Sequence, residues 1–120
     1  MSIENDPNNA STYYLRGNIK HLLQDYYGAI EDYSQALDQQ DDYRFYHWRG
    51  AAKHALSDHD SAIADYSEAI RLNPSAADSY ENRGRARLYL GDKKGGCLDL
   101  SKAGELGSEG AYDAIRKFCN

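Results

Sequence analysis

Tyr13-Tyr14-Leu15-Arg16-Gly17-Asn18-Ile19-Lys20-His21 is followed, 33 positions on, by Tyr46-His47-Trp48-Arg49-Gly50-Ala51-Ala52-Lys53-His54. Tyrosine, arginine, glycine, lysine and histidine recur in phase across the two stretches. The match continues outward. Ala29-Ile30-Glu31-Asp32-Tyr33-Ser34 aligns with Ala62-Ile63-Ala64-Asp65-Tyr66-Ser67, and Ala36 aligns with Ala69. Thirteen of 33 aligned positions are identical, too many for accident. A third, weaker copy keeps Tyr80, Arg83-Gly84, Leu90, Asp92, Asp99, Ser101 and Ala103, with Gly96 for the alanine and Leu100 for the second tyrosine. Self-similarity at 33 and 34 residues marks a stacked array of one supersecondary unit.

Within each copy the apolar period is helical. Leu15, Ile19, Leu22 and Leu23 form one stripe; Tyr26, Ala29, Ile30, Tyr33, Ala36 and Leu37 form another. Asp25, Asp58 and Asp92 stand between stripes, where a carboxylate can cap a helix start. Asp41-Asp42 and Asn73-Pro74-Ser75 mark the next breaks. This predicts helices near 11–23, 26–39, 43–56, 59–72, 76–90, 93–106 and 109–118. No stretch alternates like a strand. Glycine inside a helix costs about 1 kcal/mol against alanine. It recurs at one phase, at Gly17, Gly50 and Gly84, so close packing must offset it. Small Gly17, Ala29 and Ala36 let two helices approach, and large Tyr13 and Tyr33 fill the space beside them.

These residues resemble the tetratricopeptide repeat, a helix–turn–helix unit of 34 residues stacked into a right-handed superhelix. The family outline is Trp-x2-Leu-Gly-x2-Tyr, then Ala-x3-Phe, Ala and Pro. Tyr13, Tyr46 and Tyr80 take the tryptophan position; Gly17, Gly50 and Gly84 match the glycine. Ala29/Tyr33 and Ala62/Tyr66 match Ala-x3-Phe, with Gly96/Leu100 a weakened form. Ala36, Ala69 and Ala103 match the later alanine, and Pro74 the proline. Arg16, Arg49 and Arg83 replace the leucine; Lys20, Lys53 and Arg87 replace the second aromatic. The resemblance implies an all-α solenoid: a flexible segment 1–9, repeats at 10–42, 43–76 and 77–107, and a capping helix at 108–120. Ile3 and Pro7 carry the phase of Ile70 and Pro74, as the tail of a preceding repeat would.

The resemblance also places the first helix of each pair along a concave groove that binds peptides. The groove residues it implies are Tyr14, Asn18 and His21 from the first copy, Arg44, His47 and His54 from the second, and Glu81, Arg85 and Tyr89 from the third. Some members hold a C-terminal carboxylate with a Lys/Asn/Arg clamp. Asn18 matches one clamp position, but Tyr14, Trp48 and Asp78 stand where Lys, Asn and Lys are needed. Tyrosine and tryptophan suit a groove because they give large rigid contact area. Histidines there would make binding pH-dependent.

Other chemistry finds little footing. Four histidines on helices 8–10 Å apart do not converge on one zinc ion. No Ser/His/Asp spacing, phosphate loop or HExxH motif occurs. Cys97 aligns with Ile30 and Ile63 and reads as a buried structural thiol; Cys119 reads as an inert tail thiol. With no CxxC, the two cysteines suggest a reducing, cytoplasmic setting. The N-terminus lacks a signal-like segment. Glu31, Asp32, Asp38, Asp65 and Glu68 read as a solvated convex face. Net charge of −5 over 120 residues disfavours nucleic acid. No run approaches the ~18–20 apolar residues of a membrane span, and mean hydropathy is −0.83. The expectation is a non-enzymatic scaffold without cofactor or metal that binds a protein or peptide in its groove. The alternative is a self-associating homo-oligomer through groove or repeat ends.

Overall fold

The computed structural model describes residues 8–120. Seven helices follow one another: α1 (Ala10–Leu22), α2 (Tyr26–Gln39), α3 (Tyr43–Ala55), α4 (His59–Leu72), α5 (Ala77–Tyr89), α6 (Lys93–Glu105) and α7 (Glu109–Phe118). Each lies within a residue or so of its expected span, and no strand occurs among the described residues. Helices pack chiefly on their sequence neighbours, giving an elongated body of 55 × 25 × 20 Å. The fold is an all-α solenoid of three helical hairpins closed by α7. Ile3 and Pro7, and most of the segment 1–9, lie outside the described residues. Asn9 does not: its side chain caps α1 by accepting from the Thr12 amide at 2.8 Å.

The hairpin turns share one local design. Gln24, Ser57, Gly91 and Gly107 all have positive φ. At the first, the Asp25 amide donates to the Lys20 carbonyl at 2.8 Å and the Gln24 amide to His21 at 3.0 Å. Asp58 to Lys53, Asp92 to Arg87 and Ser108 to Ala103 repeat the long bond at 2.9 Å. This is the Schellman arrangement, in which a left-handed residue satisfies the last carbonyls of a helix. Asp25 and Asp92 then cap the next helix through the Gly28 and Gly95 amides, and Ser108 caps α7. Asp58, expected to do the same, makes no side-chain cap bond.

The in-phase glycines are where paired helices touch. A Cβ on Gly17 would sit 2.8 Å from Tyr33 Cε1, and one on Gly50 would sit 3.0 Å from Tyr66 Cε1. In the third pair the tyrosine is absent and the helices close further. A Cβ on Gly84 would lie 2.9 Å from the Gly96 carbonyl oxygen. Tyr33, Tyr66 and Leu100 are fully buried, as are Ala29, Ala36, Ala62, Ala69 and Ala103.

Two expectations need correction. Asp32 and Asp65 are not on a solvated face. They are buried, as is Asp99, and each sits between two cations of its own hairpin. Arg16 and Lys20 reach Asp32 at 3.1 Å each; Arg49 and Lys53 reach Asp65 at 2.8 and 3.0 Å; Arg83 and Arg87 reach Asp99 at 2.8 Å each. The carboxylates are buried because the small glycine phase draws the second helix in, and the arginine one residue before the glycine follows it. Each arginine also lies over its tyrosine ring, at 5.0 Å for Arg16/Tyr13, 5.7 Å for Arg49/Tyr46 and 5.5 Å for Arg83/Tyr80. The cysteines are not separate thiols either. Cys97 and Cys119 form a disulfide, with Cα atoms 5.9 Å apart. Folding α7 back on α6 brings together residues 22 apart in sequence. A disulfide here gives no support to a reducing setting.

Candidate functional site

The hollow side of the stack is lined from α1, α3 and α5, and its side chains are held by ring contacts. At the α1 end, Tyr14, Asn18, His21 and Leu22 surround a shallow hollow of about 240 Å³ with Tyr33 and Trp48. Tyr14 packs on Phe45 at 4.9 Å between centroids, and the Arg44 guanidinium lies 5.5 Å above its ring. Asn18 Oδ1 accepts from the Tyr33 hydroxyl at 2.7 Å. His21 meets Trp48 edge-on at 5.6 Å, and its Nδ1 is buried without a partner.

A second hollow, of about 290 Å³, is lined by Arg44, His47, Trp48, Asp78 and Ser79 among others. His47 is buried and shares a 2.8 Å hydrogen bond between Nδ1 and the Ser79 hydroxyl. Arg44 is committed to Asp42, at 2.6 Å from Nη2. At the α5 end, His54, Arg85, Leu88, Tyr89 and Phe118 line a third hollow of about 300 Å³. Tyr89 stacks on His59 at 4.9 Å, and His54 and His59 bring their Nδ1 atoms to 3.1 Å. Arg85 is bound to Glu81 at 3.0 Å. Glu81 also accepts from the Ser108 hydroxyl, which ties this pair to α7.

Of the nine expected groove residues, eight therefore line the three hollows, and Glu81 serves as a bracket between α5 and α7. Trp48, absent from the expected set, stands between the first two hollows. Its being the sole tryptophan was the available signal. Phe118 was hidden because nothing before folding places α7 beside the groove. Burial pushes the imidazoles of His21, His47 and His54 below their ordinary range; for His47 the nearby Asp78 opposes the shift. The hollow face at neutral pH is thus aromatic and imidazole in character, and Arg44 and Arg85 are both paired. Among the described residues no group of three or more His, Cys, Asp or Glu is placed to hold a metal, and no helix is long and apolar enough to cross a membrane.

Comparison with known proteins agrees with this architecture. A tetratricopeptide repeat model matches residues 10–43, and a TPR repeat model matches residues 50–91. The chain belongs to the tetratricopeptide repeat family. Solved tetratricopeptide domains superpose on it closely. The first TPR of Spaghetti (RPAP3), bound to the HSP90 peptide SRMEEVD, is 26% identical with a TM-score of 0.89, covering 98% of this chain and 96% of that one. The first TPR domain of human RPAP3 is 26% identical with a TM-score of 0.88, covering 94% and 91%. The second TPR domain of human RPAP3, in complex with the HSP70 peptide SGPTIEEVD, is 24% identical with a TM-score of 0.87, covering 92% and 95%. Comparison with curated protein sequences finds no match.

Proposed function

We propose that this tetratricopeptide chain is a non-enzymatic interaction scaffold that holds a peptide segment along its hollow face, gripping it with aromatic and imidazole side chains. The observation that carries this is the set of partly exposed rings, Tyr14, Trp48 and Tyr89, each held in place by its neighbours. A face ordered before binding has little further ordering cost when an extended chain settles on it. The Spaghetti domain, which holds an HSP90 peptide, supports the general role. The units 10–42, 43–76, 77–107 and 108–120 are part of the same reading, and the hairpins α1–α2, α3–α4 and α5–α6 with α7 support them.

The mode differs from a carboxylate clamp. Tyr14, Trp48 and Asp78 occupy clamp positions, Asn18 is engaged by Tyr33, and Arg44 and Arg85 are paired. A terminal carboxylate would meet no uncommitted cation among these groups. The test uses fluorescein-labelled SRMEEVD, its C-terminally amidated form and a displayed library of seven-residue peptides. Library peptides rich in apolar residues should bind, and Tyr89→Ala with Trp48→Ala should weaken them at least tenfold. Amidation of SRMEEVD should change its affinity less than twofold. A tenfold loss on amidation would restore the clamp; selected peptides indifferent to both substitutions would move the site off this face.

A further inference from the structure

The wall of the α5-end hollow comes from two sources. His54, Arg85, Leu88 and Tyr89 stand on α3 and α5, which the stacked repeats fix in place. Phe118 is the last residue of α7. What holds α7 changes along its length. Its first half is tied to α5 and α6. The Ser108 hydroxyl donates to Glu81, Arg85 reaches the Gly110 carbonyl at 3.4 Å, and Ala111 and Ala114 are buried on Leu100 and Ala103. Beyond Ile115 the ties are fewer. Arg116 and Lys117 are exposed, and Arg116 pairs with Asp113 of its own helix. The Asn120 side chain turns back to the Arg116 carbonyl. Three links cross from here: a 3.5 Å contact from Lys93 Nζ to the Asn120 carbonyl, the packing of Cys119 at the edge of the Leu100 cluster, and the Cys97–Cys119 bond. A helix of ten residues falls below the ~12–15 at which one is marginal alone, so its last turn depends on these links. Cys119 is the chain neighbour of Phe118, and the covalent link therefore sets where that ring sits.

We propose that this disulfide is a redox switch on the groove: closed, it holds Phe118 as a wall of the α5-end hollow, and opened by a dithiol reductant it releases Phe118 and weakens peptide binding there. The switch rests on the reading of this face as a peptide groove. Both half-cystines are partly exposed, so a thiol can reach them. Lys93, one helical turn before Cys97, also puts a positive charge one residue from Cys119. A neighbouring cation stabilises the thiolate that leaves when the bond opens. In the first step a thiolate of the reductant attacks one sulfur. The S–S bond breaks, and the other sulfur leaves as a thiolate and takes a proton. The reductant's second thiolate then attacks the mixed disulfide and frees the first cysteine, which also takes a proton. Two electrons and two protons pass to the protein, and the reductant ends as its own disulfide. With the link gone, the last turn of α7 frays and the ring leaves the hollow. A bound side chain beside Tyr89 then loses a neighbour that keeps water out, which is what gives a binding hot spot its strength.

The test titrates fluorescein-labelled seven-residue peptides into the full 120-residue chain before and after treatment with excess dithiothreitol. The peptides are selected on the oxidised chain and kept if Tyr89→Ala weakens them. Reduction should weaken them about fivefold or more, and reoxidation should restore the affinity. Phe118→Ala in the oxidised chain should show the same loss and then ignore the reductant. Cys97→Ser with Cys119→Ser should bind like the reduced chain under both conditions, with circular dichroism confirming that the helices persist; if that variant does not fold, the reduced natural chain carries the comparison. Equal or tighter binding after reduction overturns the switch and leaves the groove reading standing. So does a Phe118→Ala chain that keeps full affinity. If no selected peptide depends on Tyr89, the groove reading fails and the switch falls with it.

Discussion

At the scale of single residues, two devices hold each hairpin: a glycine that admits a ring, and a buried aspartate held by two cations. Gly50→Leu forces a branched side chain into a space where even a Cβ stands 3.0 Å from Tyr66 and 3.2 Å from Asp65. Overpacking of this kind costs about 3 kcal/mol or more, and urea unfolding should show it as a large fall in midpoint. Asp65→Asn keeps the shape but leaves Arg49 and Lys53 without their counter-charge. Stability should drop by about 3 kcal/mol, the usual effect of removing one partner from a buried pair. A change under 1 kcal/mol would mean that solvent compensates. The histidines set a pH dependence. His47 faces Ser79, Asp78, Trp48 and Tyr66; His54 faces His59, Tyr89 and Arg85; His21 faces Tyr26 and Trp48. All three hold their protons less readily when folded. Below about pH 6.5 the unfolded chain binds more protons, so stability is greatest above that value and falls as pH drops through it. Denaturant midpoints at pH 7.5 and 5.5 measure this, and His47→Gln should flatten the slope.

At the scale of elements, the hairpin turns show both what the sequence discloses and what it withholds. Gly91 and Gly107 announce their left-handed backbone; Gln24 and Ser57 hold φ of 64° and 63° with side chains that resist it. Ser57→Gly relieves that cost and should raise stability by about 0.5–1 kcal/mol, read from the unfolding midpoint. Helix positions were legible because three in-phase copies repeat one apolar period. The buried ion pairs were present in the same alignment, as Arg16, Arg49 and Arg83 beside Asp32, Asp65 and Asp99. Asp32 and Asp65 read as surface charge because burial depends on how closely two helices approach, which periodicity does not report. The disulfide was invisible for a related reason. Cys97 and Cys119 meet only after α7 turns back, an event set by Gly107 and by Ala111 and Ala114 packing on Leu100. Reduction should therefore loosen α7 alone. Hydrogen exchange should quicken over 109–118 while α1 to α4 keep their protection; uniform quickening would mean that the cap stabilises the whole stack.

At the scale of the molecule, a solenoid's stability comes from neighbour contacts, and its recognition from what the stacked first helices present together. Of the expected groove, the α1 and α3 members Tyr14, Asn18, His21, His47 and His54 were readable because their phase repeats. Trp48, which serves two hollows at once, was signalled only by being the sole tryptophan, and Phe118 was not signalled, because it arrives from the closing helix. The most direct measurement is a ¹H–¹⁵N spectrum of the labelled chain during titration with a library-selected peptide. The account predicts that the largest shifts fall on Asn18, His21, Trp48 and Tyr89, in α1, α3 and α5, while α2 and α4 stay still. Shifts concentrated on α2 and α4 would contradict it.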